Sequence, residues 1–195
     1  SFYPIAYKNS VNGCRIRTFV ADERGNLWIA TEDNGLNYYD VAKDSFTHVS
    51  PHSAPLNISY SNIQCLNLSR DKLWVGTFSK GIDVLDLKTR QRRHYEKSDR
   101  PNSLVNNDIF AIYTDRRNTT WIGSSSGVSV YVPEIDGFRI FDRISASFIS
   151  DILEDSNGYI WFTTFNKGVI RYDPGSDAIR DFRHDPNNPT SLCYD

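Results

Sequence analysis

The chain repeats one phrase around each of its four tryptophans, and this repetition limits the folds it can adopt. Trp28, Trp74, Trp121 and Trp161 are separated by 46, 47 and 40 residues. A serine or threonine follows each tryptophan after three residues, and a glycine follows after six or seven. These glycines are Gly35, Gly81, Gly127 and Gly168. A period of this length predicts stacked units that bury the same faces against their neighbours.

Each copy contains four short runs with the composition of β-strands. A run of the form Ile-x-x-apolar comes first, the tryptophan phrase is second, the glycine opens the third, and a fourth follows a polar turn. The first runs begin at Ile16, Ile63, Ile109 and Ile149, and the fourth runs are Ser45–Val49, Gln91–Tyr95, Phe138–Phe141 and Ala178–Phe182. Four such strands per repeat predict a blade of an all-β propeller, with the first strand innermost. A β-sandwich also has regularly spaced strands, but it does not predict the same phrase four times.

We therefore expect residues 1–195 to form a single partial β-propeller. Its blades are predicted at about residues 16–49, 63–95, 109–141 and 149–182. Residues 183–195 resemble the stretch before the third blade, which predicts a lead-in to a further blade of a larger ring. The unpaired blade faces of such a segment predict self-association. The sequence contains no Met, so we expect a processed product or an excised segment.

Composition argues against several classes of partner and site. A net charge of −2 provides no field that would attract nucleic acid or an anionic membrane. No apolar run approaches the roughly 18 residues of a membrane helix, so no direct membrane contact is expected. The cysteines Cys14, Cys65 and Cys193 are far apart and odd in number. We expect neither a disulfide framework nor a metal or other cofactor, because the histidines also lack ligand spacing.

Most aspartates occupy fixed positions in the repeat. Asp22, Asp115 and Asp155 each lie six residues before a tryptophan, where a carboxylate that binds its own backbone favours a hairpin turn. Asp40, Asp86 and Asp173 all end the third strand. Gly25, Asp71, Asn118 and Gly158 stand three residues before each tryptophan and are predicted to adopt positive φ. We therefore predict structural roles for these aspartates and no catalytic residue.

The candidate ligand-binding residues lie in connections that break the repeat, because propellers carry function on their loops. In the loops between second and third strands they are Asp33, Asn34, Phe78, Lys80, Phe165, Asn166 and Lys167. In the links between blades they are His52, Tyr60 and Arg100, and the links are 50–62, 96–108, 143–147 and from 183 onward. An aromatic ring beside an amide or lysine suits a polar, sugar-like ligand. The tryptophans are predicted to pack between blades instead.

The segment from Asp155 to Thr164, DSNGYIWFTT, and the segment from Gly168 to Asp173, GVIRYD, together resemble the two-component-regulator propeller repeat. The segment from Asp22 to Thr31, DERGNLWIAT, does so as well. The second copy departs from the pattern with Ser69 and Asp71 at its turn. The resemblance covers about residues 16–182. It implies propellers of about seven blades in the periplasmic sensor region of Bacteroidetes-type hybrid histidine kinases, which often sense oligosaccharides.

Three functions remain open from the sequence. The first is a non-catalytic segment that recognises a small oligosaccharide, with the remaining blades of the parent chain as its neighbours. The second is a scaffold for protein interaction or dimerisation within the receptor. The third is a propeller lyase or glycosidase, which should carry its acid and base in irregular loops rather than at repeat positions.

Overall fold

The computed structural model describes residues 9–145 and 147–194, and within them the chain forms four antiparallel four-stranded sheets. The strands of the first two sheets are β1 Ile16–Ala21, β2 Leu27–Thr31, β3 Leu36–Asp40, β4 Ser45–Val49, β5 Ile63–Ser69, β6 Lys72–Thr77, β7 Ile82–Asp86 and β8 Gln91–Tyr95. Those of the other two are β9 Ile109–Thr114, β10 Thr120–Ser124, β11 Gly127–Val132, β12 Gly137–Ser145, β13 Ile149–Glu154, β14 Ile160–Thr164, β15 Val169–Asp173 and β16 Ala178–Phe182. Consecutive strands pair in each sheet. The all-β propeller-blade prediction is confirmed.

The blades group in pairs. One compact unit ends at Glu96 and holds the first two blades, and the other begins at Lys97 and holds the third and fourth. In the first unit, β5 of the second blade packs against β1 and β2 of the first blade. In the second unit, β13 packs against β9 and β10. The predicted single domain over residues 1–195 remains a prediction, and each unit is described separately below.

The core of the first unit lies between its two blades. Side chains alternate between the two faces of a strand, so Trp28 and Ala30 of β2 share one face. Trp28 is 5% exposed and its ring centroid lies 4.7 Å from that of Tyr38. The same cluster contains Ile63, Leu66, Leu73, Val75 and Leu85 from the second blade, with Ile58 from the link. Burying each of these large side chains contributes about 1.5–3 kcal/mol.

The second unit repeats this arrangement with a larger share of aromatic rings. Trp121 is 4% exposed, and its ring meets Phe141 of its own blade at 5.2 Å. It also meets Phe162 and Tyr172 of the fourth blade, both at 5.7 Å and edge-on. Trp28 and Trp121 therefore each pack between neighbouring blades, which explains why the repeat requires a large ring here.

The repeat glycine is explained by a close approach of two backbone segments. Gly81 has a φ of +62°, and a Cβ built on it would lie 2.1 Å from the carbonyl oxygen of Tyr95 at the end of β8. Gly168 has a φ of +66°, and its Cβ would lie 2.2 Å from the carbonyl oxygen of Phe182. A side chain at either position would push the outer strand away from the third strand.

Two local predictions are wrong. The stretch 143–147 was expected to be a link, but β12 continues to Ser145, because Ile144 is 3% exposed and packs into the second core. Asp71 was expected to adopt positive φ, whereas Arg70 does so, at +56°. The register pairs Ser69 with Lys72, so this turn has two residues and its first residue takes the left-handed conformation.

Candidate ligand-recognition surface

Each blade has two different ends. The turn from the first to the second strand and the turn from the third to the fourth strand lie at one end, which we call the turn end. The loop from second to third strand lies at the other, together with the links between blades, and we call this the loop end. The predicted ligand-binding residues all come from the loops and links, so the placement of these segments decides what they can form together.

The loops at the loop end have one constant backbone frame. The Thr31 hydroxyl donates to the Gly35 carbonyl at 2.8 Å and accepts from the Asn34 backbone N–H at 3.1 Å. Thr77 makes the same two bonds with Gly81 and Lys80, Thr164 with Gly168 and Lys167, and Ser124 with Gly127 and Ser126. The serine or threonine of the sequence phrase therefore shapes the loop.

The loop side chains project from this frame into solvent. Phe165 is 77% exposed and Phe78 is 45% exposed. The remaining predicted loop residues are Asp33, Asn34, Lys80 and Asn166, which are exposed, and Lys167, which is half-buried. In the first unit, the Gly35 N–H donates to Ser61 and the Phe78 N–H donates to Asn62, both at 3.0 Å. Tyr60 immediately precedes this stretch, so the link joins the loop ends of the two blades.

The other two predicted residues, His52 and Arg100, lie in the links between blades. His52 belongs to a tight turn in which its N–H donates to the Ser50 hydroxyl. Arg100 lies in a turn from residue 100 to 103. The carbonyl of Asn102 in that turn accepts from the Phe138 N–H at the start of β12, which is at the turn end. The structure therefore separates Arg100 from the loops.

A groove of about 1030 Å³ runs along β4 in the first unit. Its rim carries the ion pairs Lys43–Asp40 at 2.8 Å and Lys88–Asp71 at 2.5 Å. Trp28 lines it, and among the described residues no acceptor reaches the buried Trp28 Nε1 atom. Sequence reasoning missed this groove, because the packing of two blades forms it and no local pattern signals it.

In the first three blades, a buried polar residue of the third strand holds the segment that leads into the first strand of the same blade. Asn37, Asp83 and Ser129 are fully buried. They accept from the backbone N–H groups of Asn12, Ser59 and Val105 respectively, each four residues before its first strand. In the fourth blade the equivalent residue is Ile170, which offers no acceptor.

The second blade adds a contact between a histidine and a carboxylate to this clamp. His94 Nδ1 lies 2.8 Å from Asp83 Oδ1, and His94 Nε2 lies 3.3 Å from Glu96 Oε1. The hydrogen bond to Asp83, reinforced by Glu96, raises the pKa of His94 above its ordinary value of 6.5. In the first blade His48 meets the neutral amide of Asn37 instead. The pair is buried on the Asp83 side and fixes the link, so it acts as a structural clamp.

The repeat-locked aspartates form turns. Asp155 Oδ1 accepts from the N–H groups of Asn157 and Tyr159, while Oδ2 accepts from Trp161 Nε1 at 2.7 Å. The Trp161 hydrogen bond holds the pKa of Asp155 below its ordinary value. The Ser176 hydroxyl lowers the pKa of Asp173 in the same sense. Carboxylates held ionised in this way are poor proton donors near neutral pH.

Within residues 9–145 and 147–194, no three His, Cys, Asp or Glu side chains are grouped so as to hold a metal ion. In the same described part of the chain, no helix has the length and apolar character needed to cross a bilayer.

Known proteins resemble this chain in sequence or in fold. The two component regulator propeller profile matches residues 10–33, 103–126 and 143–166, leaving out the second copy with its altered turn. Histidine kinase P4 of Formosa agariphila is 31% identical over 187 residues. These cover 91% of this chain but 14% of that protein.

Among solved structures, the extracellular domain of a putative hybrid two component system from B. thetaiotaomicron superimposes with a TM-score of 0.76 at 22% identity. The match covers 92% of this chain and 23% of that one. Virginiamycin B lyase from Staphylococcus aureus gives a TM-score of 0.69 at 18% identity, over 89% of this chain and 57% of the lyase. This chain thus folds as β-propeller blades, and three stretches of it match the two component regulator propeller repeat.

Proposed function

We propose that these blades are a ligand-recognition segment of an extracytoplasmic sensor that belongs to a hybrid two-component histidine kinase. The observation that carries the proposal is the loop end, where one backbone frame presents exposed side chains that vary among the blades. The similarity to histidine kinase P4 and to an extracellular two-component domain supports it. The chain spans about a seventh of that kinase, so signalling chemistry belongs to other segments of such a protein.

The proposed ligand is a small oligosaccharide in the periplasm. Phe78 stands two residues from Lys80, and Phe165 is followed by Asn166 and Lys167. An exposed ring can pack against the apolar face of a sugar, while amide and ammonium groups bind its hydroxyls. We propose binding without catalysis, because the aspartates at repeat positions are engaged in turns.

Calorimetric titration tests this function. The natural-length protein that carries these blades is titrated with defined oligosaccharides of two to six sugar units. Saturable binding of one class supports the sensor. If no sugar binds, the interaction scaffold becomes the better account of the same blades.

Exposed apolar side chains suggest the remaining partners. Ile16 and Phe19 on β1 are 48% and 65% exposed, and Leu153 on β13 is 45% exposed. We propose that further blades of the parent protein cover β1 and that the isolated four-blade segment self-associates. Light scattering should then give a mass above 22.4 kDa for the segment at high concentration.

A lyase is the second candidate, because virginiamycin B lyase shares the fold. A histidine variant of that enzyme is described as catalytically inactive. His48 and His94 are bound to third-strand side chains, and His184 Nδ1 lies 2.7 Å from the Leu192 carbonyl oxygen. The remaining histidine, His52 in a link, is the candidate base. Mass-spectrometric detection of product from a streptogramin or an acidic polysaccharide, abolished by His52→Ala, would favour the lyase over the sensor.

A further inference from the structure

All four first strands contain a β-bulge at their second residue. In β1 the register with β2 jumps from Ile16 to Thr18, and the same jump occurs in β5, β9 and β13. The bulged residues are Arg17, Gln64, Phe110 and Ser150. A bulge leaves one residue outside the ladder and redirects its side chain, and such features often lie beside binding sites.

A second constant feature places two more side chains at the same end of the blade. In every blade the residue after the second strand donates its N–H to the carbonyl of the residue before the first strand, at 3.0 to 3.1 Å. These pairs are Glu32 with Arg15, Phe78 with Asn62, Ser125 with Asp108, and Phe165 with Phe148. Together with the bulged residue, each pair defines what we call the loop-end triad of its blade.

The backbone of the triad is constant but its chemistry is not. The first blade pairs Arg15 with Glu32 at 3.7 Å. In the second, the Gln64 amide donates to Asn62 Oδ1 at 2.5 Å. In the third, the Ser125 hydroxyl donates to Asp108 Oδ2 at 3.3 Å. In the fourth, the rings of Phe148 and Phe165 lie 5.8 Å apart. The fold does not require any particular side chain here, so these positions are available for recognition.

In the second unit the triads of both blades merge into one surface. The Phe110 ring lies 4.4 Å from that of Phe148, which in turn contacts Phe165. Phe165 is 77% exposed, so three rings form a platform that reaches solvent. Asp108 precedes Phe110 by two residues and accepts from the Ser125 hydroxyl, so the third-blade triad carries a carboxylate close in the chain to the first ring of the platform.

We propose that the loop-end triads determine ligand specificity and that the platform of Phe110, Phe148 and Phe165 stacks an uncharged pyranose ring. Asp108 accepts hydrogen bonds from the hydroxyls of that ring. A sugar ring has an apolar face, which can pack on aromatic rings, and hydroxyl groups, which can donate to a carboxylate beside those rings. An anionic sugar would place its carboxylate near Asp108, so like-charge repulsion disfavours it. This inference rests on the proposed function and identifies the subsite that would perform it.

The test compares variants of the natural-length protein by calorimetry with named probes. The neutral probes are cello-, laminari- and manno-oligosaccharides, and the charged probes are oligogalacturonates. Phe165→Ala should weaken binding of the neutral probe by about tenfold or more, as truncation of a central aromatic contact does. Asp108→Asn should reduce the preference for neutral over charged probes. Ile140→Ala, at a residue of β12 that is 50% exposed and lies near the turn end, is the matched control and should change binding less than about twofold.

The possible outcomes separate this inference from the proposed function. If a neutral probe binds and Phe165→Ala binds it equally well, the platform is wrong while the sensor stands. If only oligogalacturonates bind, the assignment of an uncharged ring is wrong. If no probe binds, both proposals fail. Phe165 is exposed, so its variant should melt like the parent protein, and Phe148→Ala provides a second reading at the same platform.

Discussion

The indole Nε1 of Trp121 donates to Oδ2 of Asp115 at 2.9 Å, and both residues are buried. The other carboxylate oxygen of Asp115 accepts from the backbone N–H groups of Arg117 and Thr119. One side chain therefore connects the hairpin turn to the residue that packs between blades. This hydrogen bond accounts for the spacing of six residues between Asp115 and Trp121 in the sequence.

Removing that carboxylate should strongly destabilise the second unit. Asp115→Ala leaves three donors without their acceptor, which we expect to cost about 2–4 kcal/mol. Asp99→Ala, at an exposed aspartate of the preceding link, is the control and should cost under about 0.5 kcal/mol. Urea unfolding measures both, and equal midpoints for the two variants would show that the contact is unimportant.

The two buried tryptophans Trp28 and Trp121 should respond differently to the loss of their N–H. In the first blade the side-chain amide of Asn26 donates to Asp22 Oδ2. Among the described residues, no acceptor reaches Trp28 Nε1. Trp121→Phe should therefore cost about 1–3 kcal/mol more than Trp28→Phe beyond the change in ring size. A double-mutant cycle of Trp121→Phe with Asp115→Ala isolates that difference, and a coupling near zero would contradict it.

The pH dependence of stability should reveal the charged clamp of the second blade. The hydrogen bond to Asp83 raises the folded-state pKa of His94 above 6.5, so protonated His94 stabilises the fold. That contribution is complete below the unfolded value and is lost as the pH rises through the higher folded value.

Asp83→Asn, which copies Asn37 of the first blade, should reduce this pH-dependent part, and the remainder comes from Glu96 beside His94. Unfolding free energies measured from about pH 5 to about pH 9 check it. If the stability that His94 contributes to the parent protein increased as the pH rises, the prediction would be contradicted.

Close packing of the third and fourth blades should make Gly123 intolerant of a side chain. A Cβ at Gly123 would lie 2.6 Å from Cγ2 and 2.9 Å from Cβ of Ile149, both buried in the core. Gly123→Ala should therefore cost about 1–3 kcal/mol by overpacking. Gly175→Ala, whose Cβ would meet only the side-chain atom Asp173 Oδ1 at 3.1 Å, is the control for thermal denaturation. Equal melting temperatures for the two variants would contradict the packing argument.

The strands were predictable because every blade must bury the same faces, which imposes one phrase on all four copies. The local departures from this repeat were not predictable from the sequence. The burial of Ile144 extends β12 beyond its predicted end, and shortening of the second turn shifts positive φ to Arg70. Of the candidate site, the exposed loop residues followed from sequence. The bulged Phe110 and its contact with Phe148 depend on register and blade packing, which no local pattern reports.

Hydrogen exchange on the natural-length protein, with and without a bound oligosaccharide, tests the central claim most directly. The account predicts slower exchange at the loop-end triads, above all at residues 108–110, 148–150 and 165, and unchanged exchange at the turn ends of the same blades. Protection confined to the turn ends or to the groove along β4, with none at the loop ends, would contradict it.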